Sequence, residues 1–162
     1  MSGANQRITP ELFKGLLERV GTSYPSEMGI EPLEITDTYS LGRIVVAERH
    51  LHPGGLVHGG AWCGLGDTVA AWQTFRHLPE GYNFTSVEIK LNAFAPAFPG
   101  DEVLARAETL HRGRSTHVIE VRMTRGEKLL ANLIVTQFVL APHETDAGSD
   151  TESETPTPEP AA

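Results

Sequence analysis

Cysteine is nearly absent from this chain, since the 162-residue sequence contains only Cys63. A lone cysteine cannot form an intrachain disulfide, so we interpret it as a small buried residue in a protein of a reducing compartment. The sequence also lacks a run of about 18 apolar residues, which a membrane-spanning helix needs. Its N-terminus has no apolar core of the kind found in signal peptides. We therefore expect a cytoplasmic protein with no membrane partner.

Basic residues are scarce as well: 13 Lys and Arg stand against 21 Asp and Glu, for a formal net charge of −8. Six of the acids lie in residues 144–162, which contain no Lys or Arg, so the acidity belongs mostly to the tail. The sequence lacks the excess of positive charge that nucleic-acid-binding proteins carry, so we expect no nucleic-acid partner.

The composition divides the chain into three parts. With 40% hydrophobic residues, the chain suits one globular domain, which we place at residues 10–141 after a flexible N-terminus at residues 1–9. Thr9 and Pro10 are typical of a helix start, and an apolar stripe predicts a short amphipathic helix there. The stripe consists of Leu12, Phe13, Leu16, Leu17 and Val20. Residues 142–162 are rich in Thr, Pro, Glu and Ala, so we expect a disordered tail.

The segment that organises the domain is a helix with almost no charge, predicted over residues 57–75, VHGGAWCGLGDTVAAWQTF. Trp62, Leu65, Val69 and Trp72 recur on one stripe that can bury against a sheet. Asp67 is the only carboxylate between Gly59 and Phe75, and it points away from that stripe. It shares its face with small residues, namely Gly60, Cys63, Gly64, Ala70, Ala71 and Thr74. Because small residues allow a backbone or ligand to approach closely, Asp67 is a candidate functional carboxylate.

The remaining segments predict an antiparallel sheet. Two strand candidates precede the helix, at Ile30–Asp37 and Gly42–Arg49, around a turn at residues 39–42. Four follow it, at about Asn83–Ala95, Asp101–His111, Ser115–Thr124 and Lys128–Leu140, joined by Gly-containing and Pro-containing turns. Closely spaced strands favour a meander, and one long helix against such a sheet is an α+β arrangement.

Gly59 and Gly60 open the long helix directly after His58. Their N–H groups are unsatisfied donors of a helix N-terminus, and they can stabilise a developing oxyanion. The alternative is a tight turn that needs glycine. Asp67 lies seven to eight residues farther along, a rise of about 11 Å, so one helix cannot aim both groups at one atom. If they cooperate, two antiparallel copies of the helix must form two composite sites in a homodimer.

Other polar residues have more than one interpretation. His50, His52 and His58 could suggest a metal, since H-x-H is a spacing that a strand can use for chelation, but such a site needs a third and a fourth protein ligand, and we expect no metal site. We expect His52 to border a pocket and His58 to cap or orient the helix start. The remaining histidines, His77, His111, His117 and His143, are expected on the surface.

The predicted hairpin at residues 111–116, HRGRST, is either a solvated turn or a phosphate-binding site. Its two guanidinium groups and two hydroxyls have the chemistry that phosphate recognition needs. Ser86 lies early in the first strand candidate after the helix, in TSVEIKLNAF at residues 85–94. It is either a hydroxyl near the site or an ordinary strand residue.

These residues together resemble the hotdog-fold acyl-CoA thioesterases, especially the PaaI-like and Arthrobacter-type 4-hydroxybenzoyl-CoA thioesterases. The resemblance covers about residues 10–140. It rests on HPGGLVHGG at residues 52–60, Asp67 nine residues after His58, TSVEIKLNAFAP at residues 85–96, and HRGRS at residues 111–115. It implies a single domain in which a curved antiparallel sheet of five to six strands wraps a central helix. It also implies homodimers or homotetramers with active sites at subunit interfaces.

The resemblance implies an enzyme that hydrolyses an aromatic or medium-chain acyl-CoA, with no cofactor beyond the coenzyme A of its substrate. Asp67 would be the nucleophile or the general base, and Gly59, helped by Gly60, the oxyanion donor from the facing subunit. His58 would orient the thioester or the helix start, and Ser86 would position water. Arg114 and Ser115 would contact the CoA nucleotide.

Two positions depart from the family pattern and leave alternatives open. His52 occupies a position near the thioester that is commonly Asn or Gln in relatives. The acid is Asp, as in PaaI-like members, although the surrounding GLVHGGAWC is more similar to the Arthrobacter type, which uses Glu. A hotdog enoyl-CoA hydratase or dehydratase, or an acyl-CoA-binding protein without catalysis, are the competing hypotheses.

Overall fold

The computed structural model describes Gly15 and residues 22–142 of the chain. Two α-helices lie in this range, α1 at Tyr24–Glu27 and α2 at Gly59–Phe75. The strands are β1 (Glu31–Ile35), β2 (Tyr39–Val45), β3 (Asn83–Ala93), β4 (Glu102–Arg112), β5 (Thr116–Arg125) and β6 (Lys128–Leu140). The amphipathic helix that we expect near Leu12 and the acidic tail beyond residue 142 lie outside the described residues.

The six strands form one antiparallel sheet in the order β1-β2-β4-β5-β6-β3. The predicted meander is correct for β4, β5 and β6 but wrong for β3, which pairs with β6 instead of β4. The segment between β3 and β4 contains Pro96 and Pro99. Because proline lacks the N–H that a tight hairpin ladder uses, this segment carries the chain across the sheet instead. As a result β3 forms one edge of the sheet.

Helix α2 contacts all six strands and forms the centre of the core. The predicted apolar stripe is confirmed, because Trp62, Leu65, Val69 and Trp72 are each at most 3% exposed. The opposite face is less uniform than predicted. Cys63, Gly64 and Ala71 are half-buried, whereas Ala70 and Thr74 belong to the fully buried set. The α+β architecture, with one long helix enclosed by an antiparallel sheet, is therefore the one that the sequence predicted.

The first hairpin turns three residues earlier than we predicted. Its turn lies at residues 36–38, because the Thr36 hydroxyl accepts from the Tyr39 N–H at 3.0 Å and donates to the Tyr39 carbonyl at 2.8 Å. Side-chain hydroxyls that bond the local backbone in this way compete with strand pairing. Strand β2 consequently begins at Tyr39 and ends at Val45, and residues Glu48–His50 form a 3-10 helix instead of strand.

Among the described residues, no helix is both long and apolar enough to span a membrane. Helix α2, at 17 residues, is the longest of them, and its apolar stripe is buried against the sheet.

We expect Gly42→Ala to lower the free energy of unfolding by about 1–3 kcal/mol, through overpacking. A Cβ at this buried position would lie 2.6 Å from the Trp72 ring and 2.8 Å from a Val69 methyl, both on α2. Urea unfolding followed by tryptophan fluorescence measures the change. Gly59→Ala is the control, because its Cβ would meet no heavy atom within 4 Å. Equal midpoints for the two variants would contradict the close approach of β2 to the helix.

Candidate active site

The structure brings Asp67 and Ser86 together. Asp67 lies in the third turn of α2 and Ser86 in the first half of β3, and the Ser86 hydroxyl donates to Asp67 Oδ1 at 2.6 Å. Both side chains are half-buried. A hydroxyl donated to an ionised carboxylate makes a short, strong hydrogen bond that fixes one carboxylate oxygen. Ser86 therefore holds the Asp67 carboxylate in a defined orientation.

A β-bulge helps to aim Ser86 at the helix. Ser86 pairs with Gln137 of β6, and the register shifts before Glu88 pairs with Thr136. The extra residue, Val87, is 59% exposed and points away from the core. Bulges are frequent beside active sites because they redirect a side chain. Behind Ser86, the fully buried Gln137 donates its Nε2–H to the Ser86 hydroxyl oxygen at 3.3 Å.

An open cavity of about 580 Å³ lies against Asp67 and Ser86. Four of its ten lining residues are aromatic, and the Phe75 and Phe84 rings meet in an edge-to-face contact at a centroid distance of 4.8 Å. The lining residues are Tyr24, Pro25, Asp67, Thr68, Ala71, Trp72, Phe75, Phe84, Thr85 and Ser86. A polar pair at an apolar wall is the usual composition of a small-molecule site.

Tyr24 of α1 approaches α2 closely enough that a Cβ at Gly64 would overlap its hydroxyl. Glycine at position 64 therefore has a packing reason. Burial raises the pKa of Tyr24, with smaller contributions from Cys63 and Asp67, so its hydroxyl stays a donor at neutral pH. Burial, and then the charge of Asp67, also raise the pKa of the Cys63 thiol. Since the thiolate is the nucleophilic form, Cys63 is not an activated nucleophile.

The residues at the helix start do not reach this cavity within one protomer. His58 is the N-cap of α2, and its Nδ1 accepts the Gly60 N–H at 2.8 Å. Gly59 and Gly60 are exposed, and the helix carries them about 12 Å from Asp67 along its axis. The Gly59 N–H has no acceptor among residues 22–142, whereas that of Gly60 is satisfied by His58.

The other two histidines of the bend have local roles. His52 Nδ1 accepts the Gly54 N–H at 2.9 Å, and this half-buried side chain does not line the Asp67 cavity. His50 is 1% exposed. Its Nδ1 accepts the Ala47 N–H, and its Nε2–H donates to the Met28 carbonyl at 2.8 Å. Within the described part of the chain, no three His, Cys, Asp or Glu side chains come together as a metal site.

Arg114 lies in a second cavity, of about 280 Å³, at the far end of α2. Around it stand Arg112, His77 and His117, while Ser115 is exposed next to Arg114 in the same hairpin. None of the described residues that line this cavity is acidic.

One of the histidines that we expected on the surface, His117, is buried at 4% exposure, while His77 is half-buried and His111 is exposed as predicted. His117 alternates with Ile119 and Val121 on the core-facing side of β5, which a residue's polarity alone does not reveal. His77 follows the end of α2 and lines the second cavity. Burial, followed by the nearby Arg112 charge for His77 and by His77 for His117, lowers the pKa of each. His143 is outside the described residues.

Sequence reasoning missed three residues of the site, namely Tyr24, Phe84 and Gln137. For Gln137 a signal was present: Leu133, Val135 and Gln137 alternate along β6, so the amide occupies a core-facing position. A buried amide needs a polar partner. For Tyr24 we find no signal, since the short α1 helix that carries it has no apolar periodicity.

Comparisons with known proteins agree with this geometry. The family model described as the thioesterase superfamily matches residues 54–131. A 1,4-dihydroxy-2-naphthoyl-CoA hydrolase of Listeria monocytogenes is 31% identical over 104 residues, which are 64% of this chain and 84% of that protein.

Solved structures support the same fold. A thioesterase from Haemophilus influenzae superposes with a TM-score of 0.77 at 26% identity, over 85% of this chain and 94% of the other. The PaaI protein of the E. coli phenylacetic acid degradation operon reaches a TM-score of 0.70 at 19% identity, over 79% and 91% of the two chains. At that identity the second match concerns the fold alone. Given the family match, the Listeria relative and the shared fold, this chain belongs to the thioesterase superfamily of hotdog-fold hydrolases.

Proposed function

We propose that this protein is a cytoplasmic thioesterase that hydrolyses an aromatic or medium-chain acyl-CoA to the free acid and coenzyme A. The observation that carries the proposal is the hydrogen-bonded pair of Asp67 and Ser86 at the wall of an open cavity that four aromatic side chains line. A carboxylate that acts on a thioester has to be held in place beside space for the acyl group. Asp67 is held by the Ser86 hydroxyl and borders an apolar cavity. No further cofactor is needed for this chemistry.

Two chemical routes start from Asp67. As a general base, its carboxylate takes a proton from water, and the hydroxide adds to the thioester carbonyl. The tetrahedral intermediate then expels the CoA thiolate, which takes up the proton. As a nucleophile, the carboxylate adds to the carbonyl itself, and loss of the thiolate leaves an anhydride that water hydrolyses. In either route Ser86 orients the carboxylate, and on the first it also positions the water.

Each route develops negative charge on the carbonyl oxygen, for which we propose the Gly59 N–H as the donor. A preorganised donor of this kind typically changes kcat by a factor of about 100–1,000. The Gly60 N–H is bonded to His58 Nδ1, so His58 serves to fix the helix start, and Gly60 lets the substrate approach. We propose that His52, which precedes His58 in the same bend and whose Nδ1 accepts the Gly54 N–H, contacts the thioester of a substrate bound across the subunit interface.

Because Gly59 is far from Asp67 on the same helix, we propose that the donor comes from a second subunit. Strand β3 supports this arrangement, since it is an edge strand of 11 residues. Val87 and Ile89 of this strand are 59% and 40% exposed. A free strand edge is a template for a second chain, and these two apolar side chains would add to the contact. Two-fold pairing at β3 would place two α2 helices antiparallel and form two sites, and a tetramer would be a pair of such dimers.

The second cavity, which Arg114 lines, has side chains suited to the CoA nucleotide of the substrate. Arg112 and Arg114 provide guanidinium groups, and we propose that Arg114, with Ser115 beside it, contacts the CoA nucleotide phosphates. Guanidinium groups pair with phosphate oxygens through two parallel hydrogen bonds.

We expect Asp67→Asn to lower kcat/KM at least about 100-fold, because the amide can neither accept a proton nor attack a carbonyl. Steady-state hydrolysis of a panel of CoA esters, with detection of the free thiol, measures the loss. Glu88→Gln is the matched control: the same change at an exposed carboxylate two residues from Ser86 should have no effect. If Asp67→Asn and the parent hydrolyse every ester equally, the assignment of Asp67 is wrong.

Including an enoyl-CoA in the panel distinguishes hydratase activity, which removes the conjugated absorbance of the enoyl-CoA without releasing thiol.

The shared site can be tested with Gly59→Pro, which removes one N–H and should leave the helix intact. Proline is favoured at the first helical position, and His58, with φ −68° and ψ 144°, has the conformation that precedes proline. Both this variant and Asp67→Asn should be inactive alone. After co-refolding at equal amounts, we expect about a quarter of the parent activity, because half of the dimers are mixed and each mixed dimer keeps one intact site. Sites built within one subunit would stay inactive on mixing.

A further inference from the structure

A row of polar side chains crosses the inner face of the sheet and ends at Asp67. His117 of β5 lies directly opposite Gln137 of β6, and Gln137 lies directly opposite Ser86 of β3. His117 is 4% exposed and Gln137 is fully buried. Buried polar side chains on a sheet face that is otherwise mainly apolar are costly unless they are hydrogen-bonded. Because His117 and Gln137 align with Ser86, a role at the Asp67 site would explain why these polar residues are buried.

The hydrogen bonds in this row can run in only one direction. A carboxylate accepts, so the hydroxyl hydrogen of Ser86 is used for Asp67. The Ser86 oxygen can then only accept from Gln137, which requires the NH₂ end of the amide to face Ser86, as observed at 3.3 Å. With the amide in this orientation, its Oε1 faces away from Ser86 and needs a donor of its own.

Two buried atoms in this row lack a partner within residues 22–142: Gln137 Oε1 and His117 Nδ1. The first is an acceptor, and the second is a donor when it carries a proton. Burial and the charges of His77 and Arg112 lower the pKa of His117, so its ring is neutral at pH 7 and holds one proton. A proton on Nδ1 would satisfy both atoms, through a direct contact or one bridging water.

We propose that Gln137 and His117 are positioning residues for the hydrolysis. His117 Nδ1–H fixes the Gln137 amide, and the amide holds the Ser86 hydroxyl so that it donates to Asp67. Neither residue touches the substrate, so their effect falls on the orientation of the carboxylate and hence on kcat. This inference rests on the proposed role of Asp67 and Ser86.

The test is a double-mutant cycle on kcat. Gln137→Met keeps the length of the side chain and removes both amide groups, and we expect kcat to fall about tenfold, with KM unchanged. In a Ser86→Ala background the same substitution should change kcat less than about twofold, because the hydroxyl that it orients is gone. A loss of similar size in both backgrounds would mean that Gln137 only maintains the fold, and would overturn the proposal.

Gln73→Met is the matched control. Gln73 is equally buried, but its amide oxygen accepts the Ser40 hydroxyl at 2.7 Å and its Nε2 pairs with His77 Nε2 at 3.2 Å instead of with Ser86. We expect it to lower the melting temperature without a specific loss of kcat. If it lowers kcat as much as Gln137→Met does, buried amides matter here only through stability, and the proposal is wrong.

Two substitutions of His117 test whether a hydrogen-bond donor at the position of Nδ1 is what matters. The side-chain amide of Asn can place a donor where Nδ1 stands, so His117→Asn should retain kcat within about threefold, whereas His117→Leu should lose about tenfold. Equal kcat for the two variants contradicts a role for Nδ1. Failure of the proposed function is distinguishable, because it would leave Asp67→Asn active. If Asp67→Asn is inactive but Gln137→Met is fully active, the proposed role of Asp67 stands and only the positioning role of Gln137 and His117 is wrong.

Discussion

Burial of one helix against all six strands is the constraint on which this structure depends. Trp62, Leu65, Val69 and Trp72 occupy the side of α2 that the sheet encloses, so a charge can be tolerated only on the other side. Asp67 is the single carboxylate of the helix, and it meets a hydroxyl from the edge strand there. Gly42 and Gly66, where a Cβ would lie 2.6 Å and 2.7 Å from core side chains, show how closely the sheet approaches. The core thus determines where a carboxylate can stand on this helix.

The same constraint divides the catalytic groups between subunits in our proposal. A straight helix buried along its length cannot bend to bring its N-terminal N–H groups back to its own third turn. In this proposal the donor comes from the α2 helix of a second subunit. The exposed apolar residues of β3 would be the surface on which that subunit docks.

Much of this could be predicted from the sequence. The apolar spacing of α2, the isolated Asp67 and the turn residues between β4, β5 and β6 were sufficient for the fold class and for most strand bounds, because these signals are local. The β2 start was misplaced, since the Thr36 hydroxyl bonds to the Tyr39 backbone in a way that propensity does not reveal. The pairing of β3 with β6 was also missed, because the partner of a strand depends on the path of the connection rather than on the strand itself.

The sequence by itself determined which residues are candidates for the chemistry: a lone carboxylate on an otherwise uncharged helix, glycines at its start and arginines in a hairpin. Tertiary structure alone decided which of them meet. Ser86 reaches Asp67 because a bulge in β3 aims it inward, while Gly59 and Arg114 lie elsewhere on the protomer. Gln137 and His117 join the site only through strand register. Contacts between residues 19 to 51 positions apart depend on how strands pair, and the periodicity of each segment contains no information about its partner.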